Sequence, residues 1–550
     1  MCKKYKLLMQ ERYGWRKINK DNATVWIKES LTGLNIKAIY SQLLYLRGLG
    51  YSDIHTILSW LKNLKGNFAF VIEFTEYTIV AVDKINSIPL FYLETKDEVI
   101  VGNNAKFIKD HVDTDKWLVN IEAAKEIAMS GYTIGRKTLF HNLYQLTAGE
   151  CLLISECEYK KYFYYTYSPW KVLYRSENKL KDQFSDVLQV TMSDLAKSVY
   201  GRQVVVPLSA GYDSRLIASG LKKFGVKDVL CISYGRKGNY ESLIAQQVAE
   251  KLGFKWKHIL ISDATKKLFF LSEKYEKYKN DFESYSSIPA VQDVVEICYL
   301  KRNKIIENDA ILINGSGGDY ITGGHVLDIL DYSKNNNMWN LFLNKHYSLW
   351  SKLRTTDNDL CIIDTLKSAA SARGIETPSN ITEFSALYES LEYLGRQSKY
   401  VLNQQRSYDF NGYEWLAPLW SENFLDFWEK VPLSSKIRQK LYIDTLLENN
   451  WGNVWQDVPV NKAVIQPSWV LPLRTISKFA FIPFGKSIWH QFERNAFQYW
   501  MDVTRNNVIV PYRRVLFDTR GQKNIFSWLS EIYLEESAGV DLNSLMRVKR

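Results

Sequence analysis

The sequence predicts two unlike halves. The first is a strand-rich α+β front over residues 1–170. The second is an α/β doubly wound parallel sheet with helical additions, starting near residue 180. Three observations predict this. Short β-rich runs between turn residues fill the front. From Lys181 onward strand and helix patterns alternate. Two loops rich in glycine and small hydroxyls each follow an apolar strand, as loops do at the carboxyl edge of a ligand-binding parallel sheet.

In the front, Asn67–Glu73, Tyr77–Val82, Leu90–Leu93, Glu98–Gly102 and Glu150–Ser155 have strand composition, and Ile36–Leu49 has helical spacing. Residues 165–180 are polar, carry Ser168-Pro169, and predict a linker. Leu180, Phe184, Val187, Leu188 and Met192 then recur at helical spacing. Strand Val204–Leu208, helix 214–224, strand Val229–Ser233, helix Tyr240–Leu252 and strand Trp256–Leu260 follow. Within a body spanning 180–470, residues 335–410 form an aromatic-rich helical insertion, whose tryptophans are expected to wall an acceptor pocket. Residues 471–550 form a helical extension, aromatic and basic (Trp489, Phe492, Trp500, Trp528), suited to packing, a dimer face or a membrane-surface contact.

At 550 residues the chain exceeds one typical core. A hydrophobic content of 46% and a mean hydropathy of -0.26 fit a globular protein. The formal net charge of +11 suits solubility, nucleic acid, an anionic membrane surface or an acidic substrate. Six scattered cysteines lack a metal-type CxxC pair and fit reduced thiols. No apolar run approaches a membrane span, and MCKKYKLLMQER lacks a signal-peptide core, so a cytoplasmic location is expected.

The chemistry centres on two loops. After Val204–Val206, Pro207 breaks the strand and Ser209, Gly211, Asp213 and Ser214 lead into a helix. Backbone N–H groups and the helix dipole there suit a phosphate. Asp213 would repel a bare phosphate, so its presence implies a bridging Mg²⁺. The second loop follows Ala310–Ile313 as Asn314-Gly315-Ser316-Gly317-Gly318-Asp319-Tyr320 and continues through Thr322-Gly323-Gly324-His325. If the two loops face each other, Asp213 and Asp319 share one Mg²⁺. Gly485-Lys486-Ser487 is no Walker loop, because Ala480 stands where a glycine is needed.

Ser209-Ala210-Gly211-Tyr212-Asp213-Ser214 resembles the SGGxDS pyrophosphate loop of the asparagine synthetase family, and GSGGDYITGGH (315–325) resembles that family's second loop. Glu241, Gly412-Tyr413-Glu414-Trp415-Leu416-Ala417-Pro418-Leu419, Lys440 and Val458-Pro459-Val460-Asn461-Lys462 are similar to later landmarks in the same order. LKGNFAFVIEF (64–74), AVDKINSIPLFY (81–92) and the stretch from Ser130 to Glu150 resemble the later half of a class II glutamine amidotransferase domain. The resemblance implies an Ntn-like β-sandwich followed by a PP-loop ATP pyrophosphatase domain. It implies that ATP and Mg²⁺ are used to adenylate a carboxylate, and that ammonia or an amine then attacks. Leu208, Ser209, Gly211, Asp213, Ser214, Ser233, Gly315, Ser316 and Gly317 would bind the nucleotide, Asp213 and Asp319 the metal, and Glu414, Lys440 and Lys462 would be catalytic.

The sequence also departs from the family. Ser316 replaces an acidic residue or tyrosine and is a poor base, so Glu414 is expected to work with Tyr320 or Tyr413 unless the amine arrives neutral. Leu416 and Ser421 stand where the family carries Arg and Asp, which argues against aspartate as substrate. Lys3 follows Cys2 where a glycine is usual, and the glutamine-binding parts have no counterpart, so a lost glutaminase is expected. Open readings are a ligase acting on a small-molecule, sugar-acid or peptide carboxylate, a glutamine-hydrolysing asparagine synthetase, a lactam or peptide macrocyclase, and a non-catalytic nucleotide-binding relative. Nucleic acid is not an expected partner; a homodimer or partner protein is an open possibility.

Overall fold

The structure, a computed structural model, describes residues 4–29, 36–49, 53–113, 117–155, 158–170, 172–326, 338–460 and 464–547. Cys2 and Lys462 lie outside the described residues.

The strands of the front are β1 (Lys4–Leu8), β2 (Arg16–Lys20), β3 (Ala23–Glu29), β4 (Phe68–Glu73), β5 (Tyr77–Val82), β6 (Phe91–Glu94), β7 (Glu98–Gly102), β8 (Leu143–Gln145), β9 (Glu150–Ser155) and β10 (Tyr159–Phe163). Its helices are α1 (Ile36–Leu49), α2 (Ile54–Asn63), α3 (Ala105–His111) and α4 (Ile121–Ser130). They build a six-stranded antiparallel sheet, β10-β9-β5-β4-β3-β2, and a four-stranded sheet, β1-β7-β6-β8, in which β1 runs parallel to β7. The central strands β4 and β5 are almost wholly buried apolar runs. The edges β2 and β10 carry Lys17, Lys20, Lys160 and Lys161, which blunt an open sheet edge.

The expected linker is not a loose connector. Tyr164, Tyr165 and Tyr167 are buried. The Tyr165 hydroxyl donates to Glu429 Oε1 at 2.7 Å, and the Ser168 N–H donates to the same oxygen at 3.1 Å. Buried aromatic rings pack where a polar connector was predicted, with the Tyr164 and Tyr165 hydroxyls hydrogen-bonded.

The second half carries α5 (Glu177–Ser198), β11 (Val204–Pro207), α6 (Tyr212–Lys223), β12 (Val229–Tyr234), α7 (Tyr240–Leu252), β13 (Lys255–Ile259), β14 (Ile311–Ile313) and β15 (Glu414–Leu416). Its five strands are parallel, in the order β13-β12-β11-β14-β15. The chain moves outward from β11 to β13, then returns to place β14 on the other side of β11. The switch point therefore lies between β11 and β14, and both glycine-rich loops leave it at the carboxyl edge.

One buried apolar cluster runs from β3, β4, β5 and β9 through Tyr167 and Phe184 into β11, β12 and β14, so the two halves share a core. A second cluster joins β6, β7 and α4 to the helical insertion and to Trp528 and Leu534 of the extension. Trp350 of the insertion is fully buried, donates to the Ser527 carbonyl at 3.0 Å and meets Trp528 edge-on at 5.2 Å. Trp339 stands edge-on to Phe384 at 5.6 Å. Trp350 thus ties the insertion to the C-terminal extension, while Trp339 packs within the insertion itself. Cys151, Cys231, Cys298 and Cys361 are free thiols. No described helix is long and apolar enough to cross a membrane.

Candidate active site

The first loop is made by the end of β11. Leu208 is pinned to the end of β12: its N–H donates to the Ile232 carbonyl at 2.8 Å, and Ser233 Oγ donates to its carbonyl at 2.7 Å. Trp256 Nε1 donates to Ser233 Oγ at 3.1 Å. Gly211 caps α6 in an extended conformation without a side-chain cap bond. The first-turn N–H groups of α6 therefore keep their affinity for an anion. Ser209 and Ser214 place their hydroxyls 3.1 Å apart, and the Gly211 N–H donates to Ser209 Oγ at 3.1 Å. Two hydroxyls and a helix start thus converge where a phosphate would sit.

The second loop closes directly onto the first. The Asp319 N–H donates to Asp213 Oδ2 at 2.9 Å. A Cβ on Gly318 would lie 2.4 Å from Asp213 Cγ, so only glycine allows this approach. Gly317 has φ +86°, and a Cβ there would lie 2.2 Å from the Trp420 ring. A Cβ on Gly315 would lie 2.7 Å from the Asp213 backbone. The Ser316 N–H donates to Asn314 Oδ1 at 3.1 Å, while Ser316 Oγ is buried with no partner. A buried hydroxyl left unbonded is costly and fits a ligand that completes it.

The electrostatics follow from this closure. Burial and the charge of Asp319 push the Asp213 carboxyl up. The Tyr442 hydroxyl, donating to Asp213 Oδ1 at 2.9 Å, works the other way. Asp319 is held below the usual carboxylate range: burial opposes its charge, but His325 Nε2 at 3.0 Å prevails. His325 Nδ1 lies 2.5 Å from the buried Glu392 Oε1. Burial lowers the affinity of His325 for a proton, but Asp319 and Glu392 together raise its pKa to about 10. It is an imidazolium at neutral pH, hence a counter-ion for Asp319 and no general base. Burial opposes the charge of Glu392, but His346, 3.5 Å from its Oε2, together with His325 and Gln397 holds its carboxyl down to about 2.

These features fit ATP and Mg²⁺. The uncapped helix start, the paired serines and the orphaned Ser316 Oγ suit phosphate oxygens. Mg²⁺ in such sites takes one or two carboxylates and completes its shell with phosphate and water. Among the described residues no group of three or more His, Cys, Asp or Glu could hold a metal alone, so any ion here would depend on the nucleotide.

The structure brings together Leu208, Ser209, Gly211, Asp213, Ser214, Ser233, Gly315, Ser316, Gly317 and Asp319. It does not bring Glu414 to them. Glu414 begins β15, opposite Ile311 at the start of β14, so it stands at the amino edge of the sheet. There it pairs with Arg202 at 2.6 Å and is half exposed. Arg202 also donates to the Asp309 carbonyl ahead of β14. Its expected helpers are engaged elsewhere or enclosed: Tyr320 donates to the Glu389 carbonyl at 2.7 Å, and the Tyr413 hydroxyl is buried without a partner. Lys440 is half exposed, pairing with Glu177 and, at 3.7 Å, with Asp444.

Sequence reasoning passed over Tyr442, Glu392 and Arg215. Arg215 is fully buried directly after Ser214. It donates to the carbonyls of Val454, Val458 and Pro459 at 2.8, 2.8 and 2.6 Å, tying the approach to Lys462 onto α6. Its one signal was a charge inside an otherwise apolar run.

A glutamine amidotransferase domain family matches residues 57–165, and the asparagine synthase family matches residues 196–444. No curated protein matches the chain. Among solved structures, an NH3-dependent NAD synthetase from Campylobacter jejuni is 16% identical, covering 40% of this chain and 94% of that one at a TM-score of 0.19. An NMN synthetase from Francisella tularensis is 16% identical, covering 42% and 97% at a TM-score of 0.22. A glutamine phosphoribosylpyrophosphate amidotransferase from B. subtilis is 13% identical, covering 55% and 64% at a TM-score of 0.18. The two family matches, one on each half and together spanning more than half of the chain, make it a member of the asparagine synthetase family, an ATP-dependent amide-forming ligase.

Proposed function

We propose that this ligase adenylates a carboxylate other than aspartate and passes the acyl group to ammonia or an amine without hydrolysing glutamine. The observation that carries the reading is the closure of Asp319 onto Asp213 over an uncapped helix start. Asp213 and Asp319 would hold Mg²⁺, which when bound offsets charge on the phosphates. The α6 N–H groups, Ser209 and Ser214 take up the charge of the leaving pyrophosphate, and Ser316 Oγ donates to a phosphate or acyl oxygen. Lys462, three residues beyond Pro459 in the sequence, supplies the cation for the α-phosphate. Glu414 is structural in this reading.

A cleft of about 440 Å³ is lined by Lys65, Thr191, Leu416, Trp420, Ser421 and Glu422, and the Trp420 ring packs against Gly317 of the second loop. With Leu416 and Ser421 in place of a charged pair, it suits a larger and less charged acceptor, such as a peptide or sugar acid. The incoming amine must arrive neutral, because His325 carries a proton and Ser316 is no base.

The deciding experiment is Mg²⁺-dependent pyrophosphate release from ATP with pooled amino acids, sugar acids and peptides, run beside Asp213→Ala. Release that depends on one pool, yields AMP and disappears in the variant is expected. Release by Asp213→Ala at the wild-type rate would remove the metal site from the mechanism, and failure to bind ATP would remove the reading altogether.

A further inference from the structure

Residues 464–498 belong to neither main core. The helix Val470–Phe481, the turn Ile482–Phe484 and the helix Lys486–Glu493 pack around a small core of Val470, Trp489, Ala496 and Phe497. Val470 is the one buried residue of the first helix. Phe481 stacks on Phe492, and the helix's other apolar side chains face out. Leu473, Ile476, Phe479, Ile482, Phe484 and Ile488 are each between 49% and 69% exposed. Single exposed apolar residues are ordinary, but six on one hairpin form a patch that marks an interaction surface.

Charge and shape identify what covers it. No Asp or Glu occurs from Val458 to Phe492, a stretch that holds Lys462, Arg474, Lys478 and Lys486. Glu493, which ends the stretch, is taken by Arg474. The apex Phe481-Ile482-Pro483-Phe484-Gly485 is uncharged, and exposed Lys478 and Lys486 flank it on the two arms. An apolar tip with an ammonium collar can sink the tip to the acyl boundary while the lysines reach the phosphate level. A symmetric contact with a second copy would set the two collars against each other with no carboxylate between them. We propose that this hairpin docks the enzyme on an anionic lipid bilayer, with Ile482 and Phe484 inserted and Lys478 and Lys486 on the headgroup phosphates. The hairpin lies on the membrane, since neither helix is long enough to cross it.

The test is co-sedimentation of the full chain with phosphatidylcholine vesicles and with vesicles containing phosphatidylglycerol. Binding to the anionic vesicles that weakens as salt rises is expected. Lys478→Gln with Lys486→Gln should weaken it about thirtyfold, from the loss of two surface cations. Ile482→Glu with Phe484→Glu should abolish it. Neither pair touches a main core, so thermal unfolding and pyrophosphate release should match the wild type, separating a docking defect from misfolding. Absence of wild-type binding to anionic vesicles at low salt would overturn the proposal. So would a dimer in light scattering that Ile482→Glu with Phe484→Glu converts to a monomer, which would assign the patch to a second copy.

Discussion

Arg215 shows how a residue remote from the reacting atoms governs the site. Its guanidinium is fully buried and meets only carbonyl oxygens, with the Trp455 ring 5.7 Å away. Burial draws its pKa down to about 10, so it remains charged at neutral pH. Arg215→Met should cost about 3 kcal/mol, because the carbonyls of Val454, Val458 and Pro459 lose their donor inside the fold. It should also lower kcat for pyrophosphate release more than it raises KM for ATP, since the freed segment leads to Lys462. Urea unfolding and steady-state kinetics check both; a stability loss with unchanged kcat would make Arg215 a packing residue only. Glu414 gives the opposite expectation. Its pairing with Arg202 is half exposed, so Glu414→Gln should change stability by no more than about 1 kcal/mol. Pyrophosphate release should stay at the wild-type rate, and a fall in kcat of about tenfold would return the carboxylate to the site. The geometry of the first loop was legible because it is local: Ser209, Gly211, Asp213 and Ser214 form one turn into the helix. Arg215, Tyr442 and Glu392 were not, because each acts across a long sequence separation that only the fold closes.

At the scale of elements, the π-helix Tyr393–Val401 follows directly on the helix that ends at Glu392, the partner of His325. It buries Lys399, whose Nζ donates to Thr133 Oγ1 at 2.7 Å. Burial pulls this amine down to about 7, with Glu126 opposing the shift and Lys137 adding to it. The sign follows. Between about pH 7 and the ordinary lysine value of 10.5 the unfolded chain binds a proton that the folded chain does not, so this group makes stability rise with pH. Below about 7 both states are protonated and the cost of the buried cation is complete. Lys399→Met should therefore stabilise the protein at neutral pH by about 1–3 kcal/mol, an advantage that shrinks toward pH 10. Thr133 keeps a partner, because its hydroxyl donates to the Lys137 carbonyl at 2.6 Å. Melting curves of both proteins across that range measure the difference, and a pH-independent difference would place the amine's titration elsewhere. Elements were legible where hydrophobic pattern was clean: β5, β7, β9, α1 and α7 lie where periodicity put them. β1, β2 and β10 were missed because lysines interrupt their alternation, the cost of protecting a sheet edge.

At the scale of the whole molecule, the front half, expected from its sequence to have lost glutaminase activity, is tied structurally to the parallel sheet. Lys28 of β3 pairs with Asp409 at 2.7 Å, Asp409 meets Arg406 at 3.2 Å, and all three are buried. The Trp415 indole donates to the same carboxylate at 3.1 Å, just inside β15. The front therefore braces the outer strand of the parallel sheet, whose carboxyl end leads to Trp420 against the second loop. Asp409→Ala would leave two buried cations uncompensated and should cost about 3–5 kcal/mol. If the front acts through this brace and not through Cys2, the two kinds of damage separate. Asp409→Ala should impair amide formation whatever the nitrogen source. Cys2→Ala should leave the rate with ammonium or an amine acceptor unchanged, and glutamine should support no AMP formation in the wild type or in Cys2→Ala. AMP release with glutamine that disappears in Cys2→Ala would show that the front is an enzyme after all.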